Sequence, residues 1–243
     1  MSVYMIFHNE WLAARLAIES VVVHNQIQDV IIARDSKPID DLAYFKHLNP
    51  IYLETSSCME LFYRPKNHLG KRPEISLTES LAIINCYVKR LESAARSSNS
   101  DEILCLEPDT LVRGPVKLSS GVDLECLTVN KYSKELVDFV NRTSKSVIPI
   151  DGWGFCVGLV SRSCLIGIAS FVSDNQSLIL KLLKVDGKIV NIDHGLPILA
   201  HLAGFSVSKS KSITEVGRDR FWRFNRKPIV HQFKKYYPRT NGD

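Results

Sequence analysis

The sequence predicts a single α/β domain in which a central, mostly parallel sheet is flanked by helices, a Rossmann-like arrangement. Apolar runs of strand length alternate with amphipathic segments of helix length through the first half of the chain. The length of 243 residues, with 45% hydrophobic and 23% charged residues, fits one large globular domain. Such alternation is typical of βαβ units, in which ligands bind beyond the carboxyl ends of the strands.

The elements of the first half follow in order. Val3–Phe7 is predicted to be a buried strand, and Asn9 can cap a helix that starts near Glu10. Asp29–Ala33 and Pro50–Leu53 are predicted as the second and third strands.

The clearest helix begins after Pro73, because apolar residues from Leu77 to Ala95 recur at spacings of four and three. Ser76 and Glu79 form the pattern of a capping box. Glu102–Leu106 is the next predicted strand. The three segments that follow strands are thereby placed along one edge of the sheet: Phe7–Glu10, Arg34–Ser36 and Glu107–Asp109.

The second half is less regular. Leu196–Ala203 is predicted to be a short helix with Pro197 in its first turn and Gly204 just past its end, which leaves Asp193 and His194 on the preceding loop. The remaining predictions are strands at Leu124–Asn130, Phe155–Ser161 and Ile229–His231, and helical pieces at Ile168–Val172 and Leu178–Leu183.

The positive charge is concentrated near the end of the chain. The net charge is +5, but Lys209–Arg239 alone carries +8 and the remainder about −3. This pattern indicates an anionic ligand, which leaves nucleic acid, a membrane surface and a phosphorylated small molecule open. No apolar run reaches the roughly 18–20 residues of a membrane span, and the N-terminus lacks the pattern of a signal peptide.

The six cysteines contain no CxxC pair, which argues against a zinc ribbon. Four of them lie in apolar segments and are interpreted as small core residues: Cys86, Cys105, Cys126 and Cys156. A reducing, cytoplasmic location is expected from this pattern.

Glu107-Pro108-Asp109 is the strongest candidate for chemistry. Two carboxylates at positions i and i+2, directly after a buried strand, can reach one divalent cation. Oxygen ligands suit Mg²⁺ or Mn²⁺. The alternative is a plain turn with Pro108 at its second position and Asp109 solvated.

Four stretches together resemble the GT-A class of nucleotide-sugar glycosyltransferases. Met5–Val22 is similar to the opening strand and helix, and Val30–Asp40 to the second strand with its acidic turn. Ile103–Val112 resembles the strand that carries the acidic DxD metal motif, and Asn191–Val207 the acidic acceptor-side loop and helix. The order and spacing of the four stretches match the class over most of the chain.

The sequence departs from the motifs of this class in several places. Ile6 and His8 replace the Pro and Tyr of the opening motif, and Glu107 replaces the first Asp of DxD while keeping a carboxylate. The segment Leu-Glu-Pro-Asp-Thr-Leu-Val also resembles the retaining, glycogenin-like branch, which carries a late His as a metal ligand. His231 fits that role, although a surface His in a basic tail is the alternative.

The resemblance and the local sequence context together suggest a set of site residues. Mn²⁺ or Mg²⁺ is expected on Glu107, Asp109 and His231, and the donor's diphosphate on Lys234 and Lys235. Asp193 is the candidate catalytic base. Nucleotide binding is expected at Phe7, Asn9, Glu10, Asp35, Arg72 and Glu107. Sugar or acceptor binding is expected at Asp151, Trp153 and His194, with Trp153 equally able to fill the core.

The predicted function is transfer of a sugar from a UDP- or other NDP-sugar to a hydroxyl of a glycan or glycoconjugate, as in polysaccharide biosynthesis, with inversion at Asp193. The expected organisation is one domain over 1–243, with a nucleotide half at 1–112, an acceptor half at 113–205 and a basic segment at 206–243 that closes on the diphosphate.

Three rivals stay open. They are a retaining transferase in which Asp193 orients substrate, a nucleotidyltransferase, and a non-catalytic nucleotide-binding module. The aromatic and basic stretch Phe221–Lys227 suits single-stranded nucleic acid, but no recognition motif accompanies it, so nucleic acid is not the expected partner.

Overall fold

The computed structural model describes residues 1–7, 10–34, 42–53, 74–127, 131–155, 157–215 and 226–231. Its strands are β1 (Ser2–Phe7), β2 (Val30–Arg34), β3 (Ile51–Tyr52), β4 (Glu102–Leu106), β5 (Leu111–Val112), β6 (Leu124–Cys126), β7 (Gly158–Ser161), β8 (Val207–Lys209), β9 (Ile213–Glu215) and β10 (Ile229–His231). Its α-helices are α1 (Trp11–His24), α2 (Leu77–Ser97), α3 (Lys134–Ser144), α4 (Arg162–Asp174), α5 (Gln176–Val185) and α6 (Ile192–Leu202). Short 3₁₀ helices span Leu42–Leu48 and Gly187–Val190.

The central sheet has seven strands in the order β3-β2-β1-β4-β7-β6-β8. Neighbouring strands are parallel from β3 to β4 and between β6 and β8, whereas β7 runs antiparallel to both β4 and β6. The predicted fold class is therefore confirmed. Because β6 is antiparallel to β7 and β7 to β4, the carboxyl ends of β4 and β6 lie at the same edge of the sheet.

Each face of the sheet carries its own apolar core. Alternate residues of β1 point to opposite faces, so Val3 and Met5 join the core beneath α1, while Tyr4 joins the core that contains α2. Helices α3, α4, α5 and α6 also contribute to the second core. This two-sided burial explains why the first-half strands are continuous apolar runs rather than alternating ones.

The first-half predictions agree well with the structure. The capping box of α2 is present, since the Glu79 N–H donates to Ser76 Oγ at 3.2 Å and the Ser76 N–H donates to Glu79 Oε2 at 2.9 Å. Helix α1 has Glu10 at its N-cap position. Asn9, the predicted cap, lies outside the described residues.

The second half departs from prediction in several places. The predicted strand Phe155–Ser161 begins at Gly158. Of the predicted strand Leu124–Asn130, Leu124–Cys126 forms β6, and residues 128–130 lie outside the described part of the chain. Helix α3 was not predicted. Its signals are Ser133, which accepts a hydrogen bond from the Leu136 N–H, and an apolar stripe containing Leu136 and Val140.

The cysteines do not all behave as predicted. Cys105, Cys126 and Cys164 are buried free thiols. Cys86 is disulfide-bonded, so its interpretation as a simple core thiol is wrong.

Within the described residues, no single helix combines the length and apolar character needed to cross a membrane; α4 and α5 reach that threshold only as a pair bent by 91°.

Candidate active site

The candidate site begins directly after the last residue of β4. Leu106 is buried, and the next residues form a turn in which the Thr110 N–H donates to the Glu107 carbonyl at 3.1 Å. Pro108 occupies the second position of this turn, where its fixed φ is favourable. The turn reverses the chain into β5 and leaves both carboxylates at the carboxyl end of β4.

A strand from the far end of the chain brings the third side chain. β10 pairs antiparallel with β5, with Val230 opposite Leu111. One residue further, His231 stands beside the turn that holds Asp109. β10 also pairs with β9 through Ile229, Val230 and His231, so the position of the histidine is fixed from both sides.

The three side chains form one compact cluster. His231 Nε2 lies 2.9 Å from Glu107 Oε2 and 3.4 Å from Asp109 Oδ1. All three ligand atoms are within 4.8 Å of one another. Exposure rises from 4% for the His231 side chain to 13% for Asp109 and 38% for Glu107, so the cluster opens to solvent on the glutamate side.

The charge state of His231 follows from its neighbours. Burial alone would lower its pKa, but hydrogen bonds to Asp109 and Glu107 and their negative charges together raise that pKa to about 9. The metal-free cluster therefore holds an imidazolium between two carboxylates at neutral pH.

The cluster fits a divalent cation. Two carboxylate oxygens and one imidazole nitrogen are a donor set that suits Mn²⁺ or Mg²⁺. Ligands at right angles about an ion 2.1 Å away are about 3 Å apart. Glu107 Oε2 and Asp109 Oδ1 lie 2.9 Å and 3.4 Å from His231 Nε2, close to this separation. A metal would replace the shared proton.

Asp193 lies on a helix and not on a loop. α6 begins at Ile192, four residues earlier than predicted, because Asn191 caps it by accepting from the Asp193 N–H at 3.1 Å. Pro197 consequently lies inside the helix and not in its first turn. The predicted placement of Asp193 and His194 on a preceding loop is corrected to the first turn of α6.

Pro197 has a specific effect on Asp193. A proline has no N–H, so the helical bond from position 197 to the Asp193 carbonyl cannot form. That carbonyl instead accepts from the Phe155 N–H at 2.8 Å. Since Phe155 precedes β7, whose start lies beside the end of β4, this bond ties Asp193 to the same sheet edge as Glu107.

His194 follows Asp193 and lines a cavity of about 150 Å³ at this edge. Trp153 is 7% exposed, and its backbone N–H donates to Tyr132 Oη at 2.8 Å. Its ring lies 5.5 Å from that of His201. This placement agrees with the core-filling alternative for Trp153, whereas Asp151 is exposed on the turn before it.

The predicted nucleotide residues are described only in part. Phe7 is buried at the end of β1, with its ring 4.8 Å from that of Trp11, so its side chain serves packing. Glu10 is exposed next to α1. Asn9, Asp35, Arg72, Lys234 and Lys235 lie outside the described residues.

Sequence reasoning missed some residues of this edge. Tyr132 holds both the N–H and the carbonyl of Trp153 through its hydroxyl. Lys131 and Lys188 line the cavity next to His194. Each is an isolated residue in a polar segment, and no local pattern marks it in the sequence.

Neither a protein-family model nor a curated protein matches the sequence. Solved structures do match the fold. Mouse xyloside xylosyltransferase 1 in its apo form aligns over 95% of this chain and 96% of its own, with a TM-score of 0.53 and 11% identity. The galactosyltransferase LgtC, in complex with donor and acceptor sugar analogs, aligns over 95% and 86%, with a TM-score of 0.52 and 15% identity.

The chain has the GT-A glycosyltransferase fold. A second LgtC structure, of an active-site mutant, agrees further, with a TM-score of 0.56 at 13% identity over 95% of this chain and 86% of its own. At these identities the likeness establishes the fold, and the resemblance carried by the four sequence stretches is confirmed at that level. The cluster of Glu107, Asp109 and His231 at the edge of this sheet is then the basis for proposing a reaction.

Proposed function

We propose that the protein is a metal-dependent glycosyltransferase that moves a sugar from a nucleotide-sugar donor to a hydroxyl of a glycan or glycoconjugate. The observation that carries the proposal is the cluster of Glu107, Asp109 and His231 at the carboxyl end of β4 in a GT-A fold. Ligands of open α/β sheets bind at that edge. The likeness to a xylosyltransferase and a galactosyltransferase supports a sugar as the transferred group.

Glu107, Asp109 and His231 would hold Mn²⁺ or Mg²⁺. The bound ion would neutralise the donor's diphosphate and stabilise the charge that it gains as the leaving group. Lys234 and Lys235 are proposed to contact the same diphosphate, and Asp35, Arg72, Asn9 and Glu10 the nucleotide. Phe7 is not kept in this set, because its side chain is buried. These assignments rest on the sequence resemblance, with UDP as the expected nucleotide.

In the transfer, the bond between the anomeric carbon and the diphosphate oxygen breaks, and a bond to the acceptor oxygen forms. The acceptor hydroxyl must lose its proton, and in the inverting form of the proposal Asp193 takes it. Trp153, Asp151 and His194 would then lie on the acceptor side.

The retaining alternative has one specific observation in its favour. A late histidine that ligates the metal is what the resemblance to the glycogenin-like branch implies, and His231 contacts both carboxylates. In a retaining enzyme Asp193 would orient the sugar instead of taking a proton.

The cytoplasmic location is kept only as a prediction. The free thiols of Cys105, Cys126 and Cys164 favour it, whereas the disulfide at Cys86 opposes it.

The test begins with thermal denaturation in UDP, GDP and their sugars, with Mn²⁺ or with EDTA. At a hundredfold excess over Kd, a ligand of the native state adds about 2.7 kcal/mol, or roughly 5–10 °C for a chain of this size. Asp109→Asn should remove most of the Mn²⁺-dependent part. Asp138→Asn, on the exposed face of α3, is the matched control and should keep it.

Measurements of turnover and of the reaction product then distinguish the proposed glycosyltransferase from the alternative functions. Sugar transfer or donor hydrolysis is expected, release of pyrophosphate would indicate a nucleotidyltransferase, and binding without turnover would indicate a binding module. NMR of the product's anomeric proton distinguishes inversion from retention. Under inversion, Asp193→Asn should lower turnover by roughly 10²–10⁴-fold. Equal nucleotide affinity in Mn²⁺ and EDTA would contradict the metal assignment.

A further inference from the structure

A small cavity lies at the active edge of the sheet but apart from the metal cluster. Its volume is about 150 Å³, and its apolar wall consists of Tyr132, Leu136 and Ile189. Its polar wall consists of Lys131, Lys188, His194 and Asp186. The cavity is therefore bounded by the segment after β6, by α3, by the 3₁₀ helix Gly187–Val190 and by the first turn of α6.

The charges of this cavity are unbalanced toward the positive. Asp186 caps the 3₁₀ helix by accepting from the Lys188 N–H at 2.9 Å, so its carboxylate already serves the backbone. Within the described part of the chain, neither the Lys131 nor the Lys188 ammonium group takes part in an ion pair. The two ammonium groups thus share the cavity with one carboxylate, and His194, which has an interaction of its own, adds an imidazole to the same wall.

The backbone around the cavity is closely packed. The Tyr132 hydroxyl is anchored to the backbone of Trp153 on one side. On the other, Gly195 allows α6 to approach the Ile189 carbonyl, since a Cβ at this position would collide with that oxygen. The cavity is consequently framed by fixed elements, while its lysines are exposed and can move to a ligand.

The cavity lies on the acceptor side of the proposed reaction. Lys131 and Tyr132 follow β6, whose carboxyl end shares an edge with that of β4, and His194 is adjacent to Asp193. The metal cluster stands at the end of β4, so the donor's diphosphate already has a site there. A second cationic site at the same edge fits a different anion.

We propose that this cavity binds an anionic group of the acceptor, a carboxylate or a phosphate, through Lys131, Lys188 and His194. The inference rests on the proposed function and narrows it, because the acceptor would be an acidic sugar or a sugar phosphate and not a neutral glycan. The cavity is of a size to admit the anionic substituent itself, and the ammonium groups supply the opposite charge.

The experiment measures binding of three probes by saturation-transfer NMR, to the full chain with UDP and Mn²⁺ present. The probes are glucuronate, glucose 6-phosphate and, as the neutral match, glucose. We expect at least one acid to bind about tenfold or more tightly than glucose, and to weaken as NaCl is raised. The two acids distinguish the carboxylate from the phosphate.

Lys131→Gln/Lys188→Gln should bring the affinity for the acid to within about twofold of glucose. Lys117→Gln/Lys181→Gln removes the same charge from exposed positions outside the cavity and should keep the preference. Both pairs are exposed, so unchanged melting temperatures serve as the check on folding.

Equal binding of the acids and glucose to the wild type would overturn the inference, as would an unaltered preference in Lys131→Gln/Lys188→Gln. So would a loss of UDP affinity in that variant, because the cavity would then serve the donor. A Mn²⁺-dependent response to UDP tests the proposed function separately. Failure of the acceptor-site inference can therefore be distinguished from failure of the proposed function.

Discussion

His231 joins the two carboxylates of the candidate site into one possible metal-binding cluster. It is nearly fully buried, and it contacts two carboxylates that lie more than 120 positions away in the sequence. The sequence marked Glu107 and Asp109 directly, since paired carboxylates after a buried strand are a local pattern. It marked His231 only through resemblance, because no local pattern tells which strand lies beside the carboxylates.

The raised pKa of His231 predicts how stability depends on pH. An imidazole with a pKa of about 6.5 unfolded and about 9 folded binds its proton more tightly in the native state. The stabilisation, on the order of 3 kcal/mol, is fully present below pH 6.5 and is lost as pH rises through 9. Urea denaturation of EDTA-treated protein at pH 6 and pH 9 should show this loss.

His231→Gln should flatten the pH dependence between pH 6 and 9. Mn²⁺ affinity should change in the opposite direction, rising with pH over the same range, because the metal must displace the proton. If His231→Gln keeps the wild-type dependence of stability on pH, a group other than His231 is responsible for that dependence.

At the scale of elements, the pairing of β5 with β10 assembles the cluster. Strands β5, β8 and β9 were not predicted, because each is only two or three residues long. A strand of that length is too short to show the alternation of apolar and polar residues. Ile229–His231 was predicted because it is an apolar run. The start of α6 was misplaced because Pro197 suggested a first turn, and Asn191 proved to be the cap.

Arg113 is predicted to position His231 through β10. Its backbone N–H donates to the Pro228 carbonyl at 2.8 Å, and its Nε donates to the Lys227 carbonyl at 2.9 Å. Arg113→Gln removes the side-chain bond, which is typically worth about 0.5–1.5 kcal/mol. Calorimetry should then show a Mn²⁺ affinity about two- to tenfold weaker.

Arg142→Gln is the control for Arg113→Gln, because within the described residues the Arg142 side chain donates to the Asp138 carbonyl of its own helix. It should leave Mn²⁺ affinity unchanged. A lower melting temperature in Arg113→Gln without a change in Mn²⁺ affinity would mean that Arg113 stabilises the fold and does not position the histidine.

At the scale of the whole molecule, the fold class was predictable because burial on both faces of a parallel sheet produces continuous apolar strands separated by amphipathic helices. The cavity beside His194 was not, because its lysines come from segments more than 50 residues apart and meet only through the packing of α6. The uneven charge, +8 over Lys209–Arg239 against about −3 elsewhere, was visible in the sequence, because it depends only on where the charged residues stand along the chain.

That charge distribution predicts a separate role for the last ten residues. A chain that ends at Phe233 keeps β10 and the cluster of Glu107, Asp109 and His231, but loses Lys234 and Lys235. Because Ile229 and Val230 remain in the core, its melting temperature without ligand should stay within about 2 °C of the full chain. Its affinity for UDP in Mn²⁺, measured by calorimetry, should fall about tenfold or more, since charge-assisted bonds to the diphosphate are lost. Lys234→Gln/Lys235→Gln in the full chain should reproduce the loss. If both proteins bind UDP as tightly as the wild type, the two lysines do not contact the diphosphate, and the basic segment must serve another anion.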